Sequence, residues 1–375
     1  DNMYSKGIAI LAAAVILCAG GAAAVMLLNQ GGGSDGETVT DMLGREVVLP
    51  AESQEDLRIV CVSAGALRMT CYYGCIDRVV GVDAYDAGAV GSAANYCMAT
   101  YRVAYDGIAG IENVGSYDNT EAIRGTGANL IITSERDVSV VNSIQTATRI
   151  ATIAINVDLE MDDIEAMNAQ FEMLGKVFCD SGRADELKNG ISDLLEELAE
   201  YRNRIPEEDR RTAYVGGMFY YMQGGLYKTT GNYLAFDLAG VENVMPPNPS
   251  GNKQPYDTDV EDVMAADPDY MFVDCMTYSA SKAAYEKDKR SLGNITAIED
   301  EDVYTTLVYK YYGTNWETQL MNVFYVGSVV YPEVFGYEIS EKADGILRLF
   351  FEDSDVTCEE VAEAQTPGYG RADWF

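Results

Sequence analysis

No histidine occurs in the 375 residues. The commonest metal-ligating side chain and the commonest general base are therefore missing. His-based zinc sites and Ser-His-Asp or Cys-His catalysis go with them. Cations are scarce too: 26 Lys and Arg against 60 Asp and Glu leave a formal net charge of −34. A field of that sign repels nucleic acid and anionic lipid, so no nucleic-acid partner is expected. The acidity reads as a device that keeps an exposed protein soluble. The eight cysteines contain no C-x-x-C pair, which argues against a structural zinc site. Cys18 falls in an N-terminal apolar segment, and the remaining seven do not form a disulfide framework. Cys71 and Cys75 stand one helical turn apart, where cysteines mostly serve as small core residues. A P-loop is also absent, because GGMFYYMQGG (Gly216 to Gly225) lacks the required Lys and Ser. With no nucleophile–base pair either, the chain reads as a non-enzyme without a cofactor.

What is present begins with Gly7 to Leu28, 22 residues without a charge. A bilayer crossing needs about 20 apolar residues. Lys6 before the segment and Asp35 and Glu37 after it orient the bulk of the chain outward. Three readings of the segment are open: a signal peptide cleaved near Ala22-Ala23-Ala24, a retained anchor, or a lipid-modified Cys18. The retained anchor is favoured, since Val25-Met26-Leu27-Leu28 continues the apolar run. All three place the rest outside the cytoplasm, anchored to the cell membrane or secreted after cleavage. The glycine-rich stretch around 30–37 reads as a flexible linker.

Beyond the linker, Thr38 to Pro50 reads as two short strands around a turn at Leu43-Gly44. Strand-like runs then alternate with helix-length segments: RIVCVS (Arg58 to Ser63), RVVGVD (Arg78 to Asp83), ANLIIT (Ala128 to Thr133) and ATIAIN (Ala151 to Asn156). This alternation implies a parallel sheet with crossover helices. Between 161 and 205 only helical periodicity is found. Arg183 to Arg204, with Ile191, Leu194, Leu195 and Leu198 at helical spacing, predicts a rod about 30 Å long. Alternation resumes with TAYVGG (Thr212 to Gly217), YMFVD (Tyr270 to Asp274) and Val303 to Leu307, and ends in helices over Trp316 to Val330 and Ile339 to Phe351. The expected organisation is an anchor or signal at 1–29, a linker at 30–37, a lobe at 38–160, a helical segment at 161–205, a second lobe at 206–351 and a loosely held acidic tail at 352–375. The fold class is α/β: two Rossmann-like lobes with parallel-rich sheets, joined by one long helix, with a ligand cleft where the strand C-terminal ends meet.

An ordered set of segments resembles a known family. TDMLGREVVLP (Thr40 to Pro50), RIVCVSAG (Arg58 to Gly65), DRVVGVD (Asp77 to Asp83) and NVGSYDNTEAI (Asn113 to Ile123) resemble the first lobe of solute-binding proteins that serve ABC importers of iron-siderophores, haem and cobalamin. TTGNYLAFDLAGVENV (Thr229 to Val244), DVEDVMAADPDYMFVD (Asp259 to Asp274) and YGTNWETQLMNVFYVGSVVYPEVF (Tyr312 to Phe335) are similar to segments of its second lobe. The resemblance covers about Thr38 to Phe351. It implies a monomeric receptor with a modest hinge motion and no catalysis, whose ligand is a metal chelate or corrinoid. It also implies an ABC permease as partner, docked through one exposed glutamate on each lobe; by position these are Glu121 and Glu261. The bland alternative makes both ordinary first-turn acids.

Aromatic residues crowd two loops of the second half: Tyr220, Tyr221, Tyr227 and Tyr233 in one, Tyr309, Tyr311, Tyr312 and Trp316 in the other. They offer broad, flat contact to a planar or greasy chelate, although some are expected to pack lobe surfaces instead. Ser63, Arg68 and Arg102 in the first lobe, with Lys228 and Lys310 in the aromatic loops, are candidate partners for ligand carboxylates or phosphate. In so acidic a chain each such cation more often belongs to a surface ion pair. A sensory or cell-envelope module with the same fold and no transport role is the rival function.

Overall fold

The computed structural model describes residues 36–220 and 223–375. The apolar segment Gly7 to Leu28, Cys18, most of the linker and Tyr221 lie outside these residues. Among the described residues, no helix is long and apolar enough to cross a membrane.

A hairpin of β1 (Thr38–Thr40) and β2 (Glu46–Val48) opens the chain, turning through Gly44 at φ 76°. The first sheet comprises β3 (Ile59–Val62), β4 (Val79–Asp83), β5 (Asn113–Gly115), β6 (Leu130–Thr133) and β7 (Ala151–Ala154). Its order is β5-β4-β3-β6-β7, parallel throughout. Strands buried on both faces need unbroken apolar runs, and IVCV and LIIT supply them with every residue buried. The helices of this lobe are α1 (Leu67–Tyr72), α2 (Tyr101–Ala104), α3 (Thr120–Gly125) and α4 (Val138–Thr148).

Two helices follow, α5 (Ile164–Val177) and α6 (Ser181–Asn203). The carboxylate of Asp180 caps α6 by accepting from Arg183 N at 2.9 Å. At 23 residues α6 is about 34 Å long. Its first turn is tied to the first lobe, where Arg183 Nε donates to Tyr72 O at 2.8 Å. Its far end is tied to the second, where Arg202 donates to Asp237 O at 3.3 Å. The rod expected from the sequence thus spans both lobes.

The second lobe holds β8 (Thr212–Gly216), the small pairs β9 (Phe219–Tyr220) with β10 (Gln223–Gly224) and β11 (Lys228–Thr229) with β13 (Tyr256–Asp257), and β12 (Glu242–Asn243), β14 (Tyr270–Asp274) and β15 (Val303–Thr306). Its main sheet runs β12-β8-β14-β15, all parallel, and is closed by antiparallel β16 (Gly370–Arg371). Its helices are α7 (Leu234–Ala239), α8 (Val260–Ala266), α9 (Tyr278–Leu292) and α10 (Thr296–Glu299). Gly240 ends α7 at φ 79°, as its position requires. Next come α11 (Trp316–Val330), buried almost all round, α12 (Ile339–Phe350) and α13 (Cys358–Ala364).

One expectation changes, and one helix is added. The C-terminal segment is not loosely held. It forms α13 behind a Thr357/Glu360 capping box, adds β16 to the second sheet and stacks Trp374 on Tyr285 at 4.7 Å. Its acidic exposed residues mask a buried set, Val361, Gln365 and Trp374. The added helix is α9, which no periodicity announced: among its 15 residues only Ser281, Tyr285 and Leu292 are buried.

Candidate ligand-binding site

The C-terminal ends of both parallel sheets face one another. From the second lobe come Met218 and Phe219 after β8, Asp274 and Met276 at the end of β14, and Tyr309 and Lys310 after β15. From the first come Arg136 after β6 and Asp158 after β7. Together with Gln254 and Pro255 they enclose a cavity of about 350 Å³. A second hollow of about 640 Å³ opens on the other side of Phe219 and Met276, against Met98, Cys275 and Thr366. Both volumes fall in the range of small-molecule sites. Charged and polar side chains (Arg136, Asp158, Gln254, Asp274 and Lys310) share the first cavity with Met218, Phe219, Met276 and Tyr309, and around Met276 the residues Met98, Cys275 and Val308 form one apolar cluster with Tyr311. Polarisable sulfur of this kind adapts to irregular apolar ligands.

The loop Tyr309–Asn315 is wedged between the lobes. Thr314 N donates to Val157 O at 2.7 Å, and Tyr312 adopts φ 51°. A side chain on Gly65 would meet Tyr312 O at 2.0 Å, so only glycine allows this approach of the first lobe. Asn315, fully buried, donates to Met98 O at 2.9 Å and Val308 O at 2.7 Å, and its oxygen accepts from Arg68 at 2.9 Å.

Electrostatics single out two carboxyls. Burial pushes Asp274 up to about 7, opposed only by the Met276 amide. Burial, then the neighbouring Asp86 charge, raises Asp83 to about 6. Burial raises Tyr309 well above an ordinary phenol.

The residues expected to meet ligand divide sharply. Tyr309 and Lys310 line the cavity. Tyr311 and Tyr312 are not among the residues that line either hollow; their rings meet at 4.3 Å between centroids, tilted by 55°, with Tyr85 5.0 Å from Tyr312. Tyr220 has its backbone in β9, beside Phe219. The rest stand elsewhere. Trp316 is fully buried beside Tyr72 and Phe171, and its indole donates to Leu159 O at 2.6 Å. Tyr233 packs behind Tyr309 on Phe236. Tyr227 turns to Asp288 on α9 at 2.8 Å. Ser63 donates to Glu135 at 2.7 Å.

The candidate cations are already engaged. Arg68, 0% exposed, donates to the carbonyls of Tyr311 and Tyr312 at 2.9 Å each. Arg102 pairs with buried Asp86 and lies against the rings of Tyr96 and Tyr312. Lys228 pairs with Asp257 and Lys310 with Glu160, both at 2.8 Å. Sequence reading missed Asp274, Met218, Met276, Phe219, Arg136 and Asp158. The available signal was position: a lone carboxylate ending the apolar run YMF-V at a strand C-terminus. Among the described residues, no group of three or more Cys, Asp or Glu is placed to hold a metal ion.

Glu121 and Glu261 are exposed and occupy equivalent places. Each is the second residue of a short helix, capped by Asn119 in one lobe and Asp259 in the other.

A sequence model of the periplasmic binding protein family matches residues 59–307. The chain belongs to that family. The match spans both sheets of this binding protein, apart from β16. No curated protein matches the chain. Solved structures are similar in fold. The periplasmic solute binding protein from Veillonella parvula DSM 2008 shares 16% identity over 87% of this chain and 95% of its own, with a TM-score of 0.66. The molybdate periplasmic binding protein MolA of Haemophilus influenzae, from an ABC transporter, shares 16% over 86% and 99%, TM-score 0.63. CeuE of Helicobacter pylori, with Ni(II) bound, shares 16% over 87% and 99%, TM-score 0.58. At these identities the likeness is one of fold.

Proposed function

We propose that this binding protein is the extracytoplasmic receptor of an ABC importer. In this reading it captures a metal chelate between its lobes, 38–160 and 206–351, and hands it to a permease docked on Glu121 and Glu261. The observation that carries the reading is the cavity where both sheets end, walled by Met218, Phe219, Met276 and Tyr309. A wall that mixes these thioether and aromatic groups with Arg136, Asp158, Asp274 and Lys310 suits a chelate with both apolar and polar surface, such as a ferric siderophore, haem or a corrinoid. The absence of histidine and of a convergent acid cluster among the described residues favours metal that arrives already complexed. The apolar segment Gly7 to Leu28 would hold the receptor at the membrane.

The test combines binding and uptake. Titration with haem, cobalamin and several ferric siderophores, followed by intrinsic fluorescence, should show one of them bound at micromolar concentration or tighter. Reversal of both docking acids (E121K with E261K) should abolish uptake of that chelate and leave its affinity unchanged. Failure of all the chelates to bind removes the ligand class, and uptake unaffected by the double reversal removes the docking assignment.

A further inference from the structure

The charges around the cavity do not balance in the way a receptor for an anionic ligand would require. Its two cations are occupied: Arg136 is paired with Asp158, and Lys310 with Glu160. Asp274 is different. It ends the central strand β14, is 4% exposed and lines the cavity. One carboxylate oxygen accepts from Met276 N at 2.8 Å. Among the described residues no Lys or Arg pairs with it. The neighbours facing it bring no positive charge: Thr306 beside it on β15, Tyr233 at the start of α7, Tyr309 and Cys275. In this group Tyr233 Oη and Thr306 Oγ1 are buried beside one another.

A buried acid with no cation is costly unless something neutralises it. Here the neutralising group can enter from the cavity, because Asp274 forms part of its wall. Tyr309, an aromatic of the kind that attracts cations, lines the same cavity. We infer that Asp274 is a specificity-determining residue that receives a hydrogen-bonding cation, an ammonium or guanidinium group, carried by the ligand. The apolar body of that ligand lies against Met218, Phe219 and Met276. The inference deepens the chelate reading by naming the feature that distinguishes accepted from rejected chelates. The raised protonation range of Asp274 agrees with it, since a carboxyl poised near neutrality ionises when a cation docks.

Two matched probe pairs test this separately from the chelate reading. One pair is a ferric trihydroxamate with a free ammonium arm and its N-acetylated form. The other is a linear polyamine and its fully acetylated form, which carry no metal. Affinities are measured by calorimetry for wild type and for Asp274→Asn at about pH 8 and about pH 5, on either side of the carboxyl's range. Wild type at the higher pH should prefer the charged member by about tenfold or more, the worth of one hydrogen bond to a charged group. The preference should shrink at the lower pH and vanish in the variant. If only the polyamine pair binds and shows this preference, the inference stands, and the chelate reading falls when the titration with haem, cobalamin and the other siderophores is negative as well. Equal affinity for charged and acetylated members in wild type overturns the inference. So does a preference that survives Asp274→Asn, and so does the failure of both pairs to bind. The wild-type comparison decides without the variant, should the variant fold poorly.

Discussion

Asp274 ends a strand whose preceding three residues are fully buried and apolar, and its carboxyl is held near neutrality by that burial. Asp83, at the end of β4, is raised to about 6 for the same reason and by Asp86. In the unfolded chain both ionise near pH 4. Between about pH 4 and pH 7 the folded protein therefore holds protons that the unfolded chain has released, so stability falls as pH rises through this window and levels off above it. Asp274→Asn removes that residue's share. The variant should be more stable than wild type by a few kcal/mol at about pH 8, with the gain fading to nothing near pH 4. Denaturant melts across that range check it. A difference independent of pH would mean that the carboxyl ionises in the folded protein as it does in the unfolded chain, so that burial does not disfavour its charge. The identity of these acids was readable from the sequence, but their environment was not. Both sit at the end of apolar strands, and only the crossing of other chain segments over those ends decides that no cation pairs with Asp274 while Arg102, paired with Asp86, comes near Asp83. Arg68 shows the same limit from the other side. Its position after β3 suggested ligand contact, yet the loop 309–315, some 240 residues away in the chain, supplies its acceptors.

At the scale of elements, the strands and the rod α6 follow from patterns that are local. Runs such as LIIT are buried on both faces, and Ile191 and Leu198 of α6 are buried at helical spacing. The segments that escaped are those whose order depends on distant partners. The helix α9 carries too few apolar residues to show a period, and the C-terminal segment looks polar because its fixing contacts are few and specific. Gln365 is the clearest of these. Fully buried, it accepts from Val308 N at 2.9 Å in the second lobe and donates to Cys97 O at 3.1 Å in the first. With Ser354 on Ala104 O at one end and β16 on β15 at the other, the segment is a second strap between lobes. Gln365→Leu preserves most of the volume but leaves a buried N–H and a buried C=O unpaired. Its expected cost is about 2 kcal/mol in equilibrium unfolding, with faster hydrogen exchange at the Val308 amide. A cost below about 0.5 kcal/mol, typical of an ordinary surface change, would show that the strap does not couple the lobes.

As a whole molecule, the protein is two parallel-sheet bodies connected by a stiff helix on one side and by the C-terminal strap on another, with the loop 309–315 inserted between them. Buried polar pairs line this junction: Thr100 with Thr318 at 2.8 Å, Met161 N with Gln319 at 3.0 Å, and Tyr72 with Glu317. Each is satisfied only in one relative placement of the lobes, so the junction favours a small set of arrangements over free swinging. The two-lobed plan and the place of the cleft were legible in the sequence because strand ends define them. The wall chemistry, with Met218, Met276 and an unpaired Asp274 beside Tyr309, Lys310 and Arg136, depended on which loops turned inward. The central claim is that ligand is trapped where the two sheets end. Amide hydrogen exchange with and without a saturating bound chelate tests it most directly. Protection should rise together at residues 134–136 and 156–160 of the first lobe and at 216–219, 274–277 and 308–312 of the second. Protection confined to one lobe, or rising at sites away from these strand ends, would contradict the account.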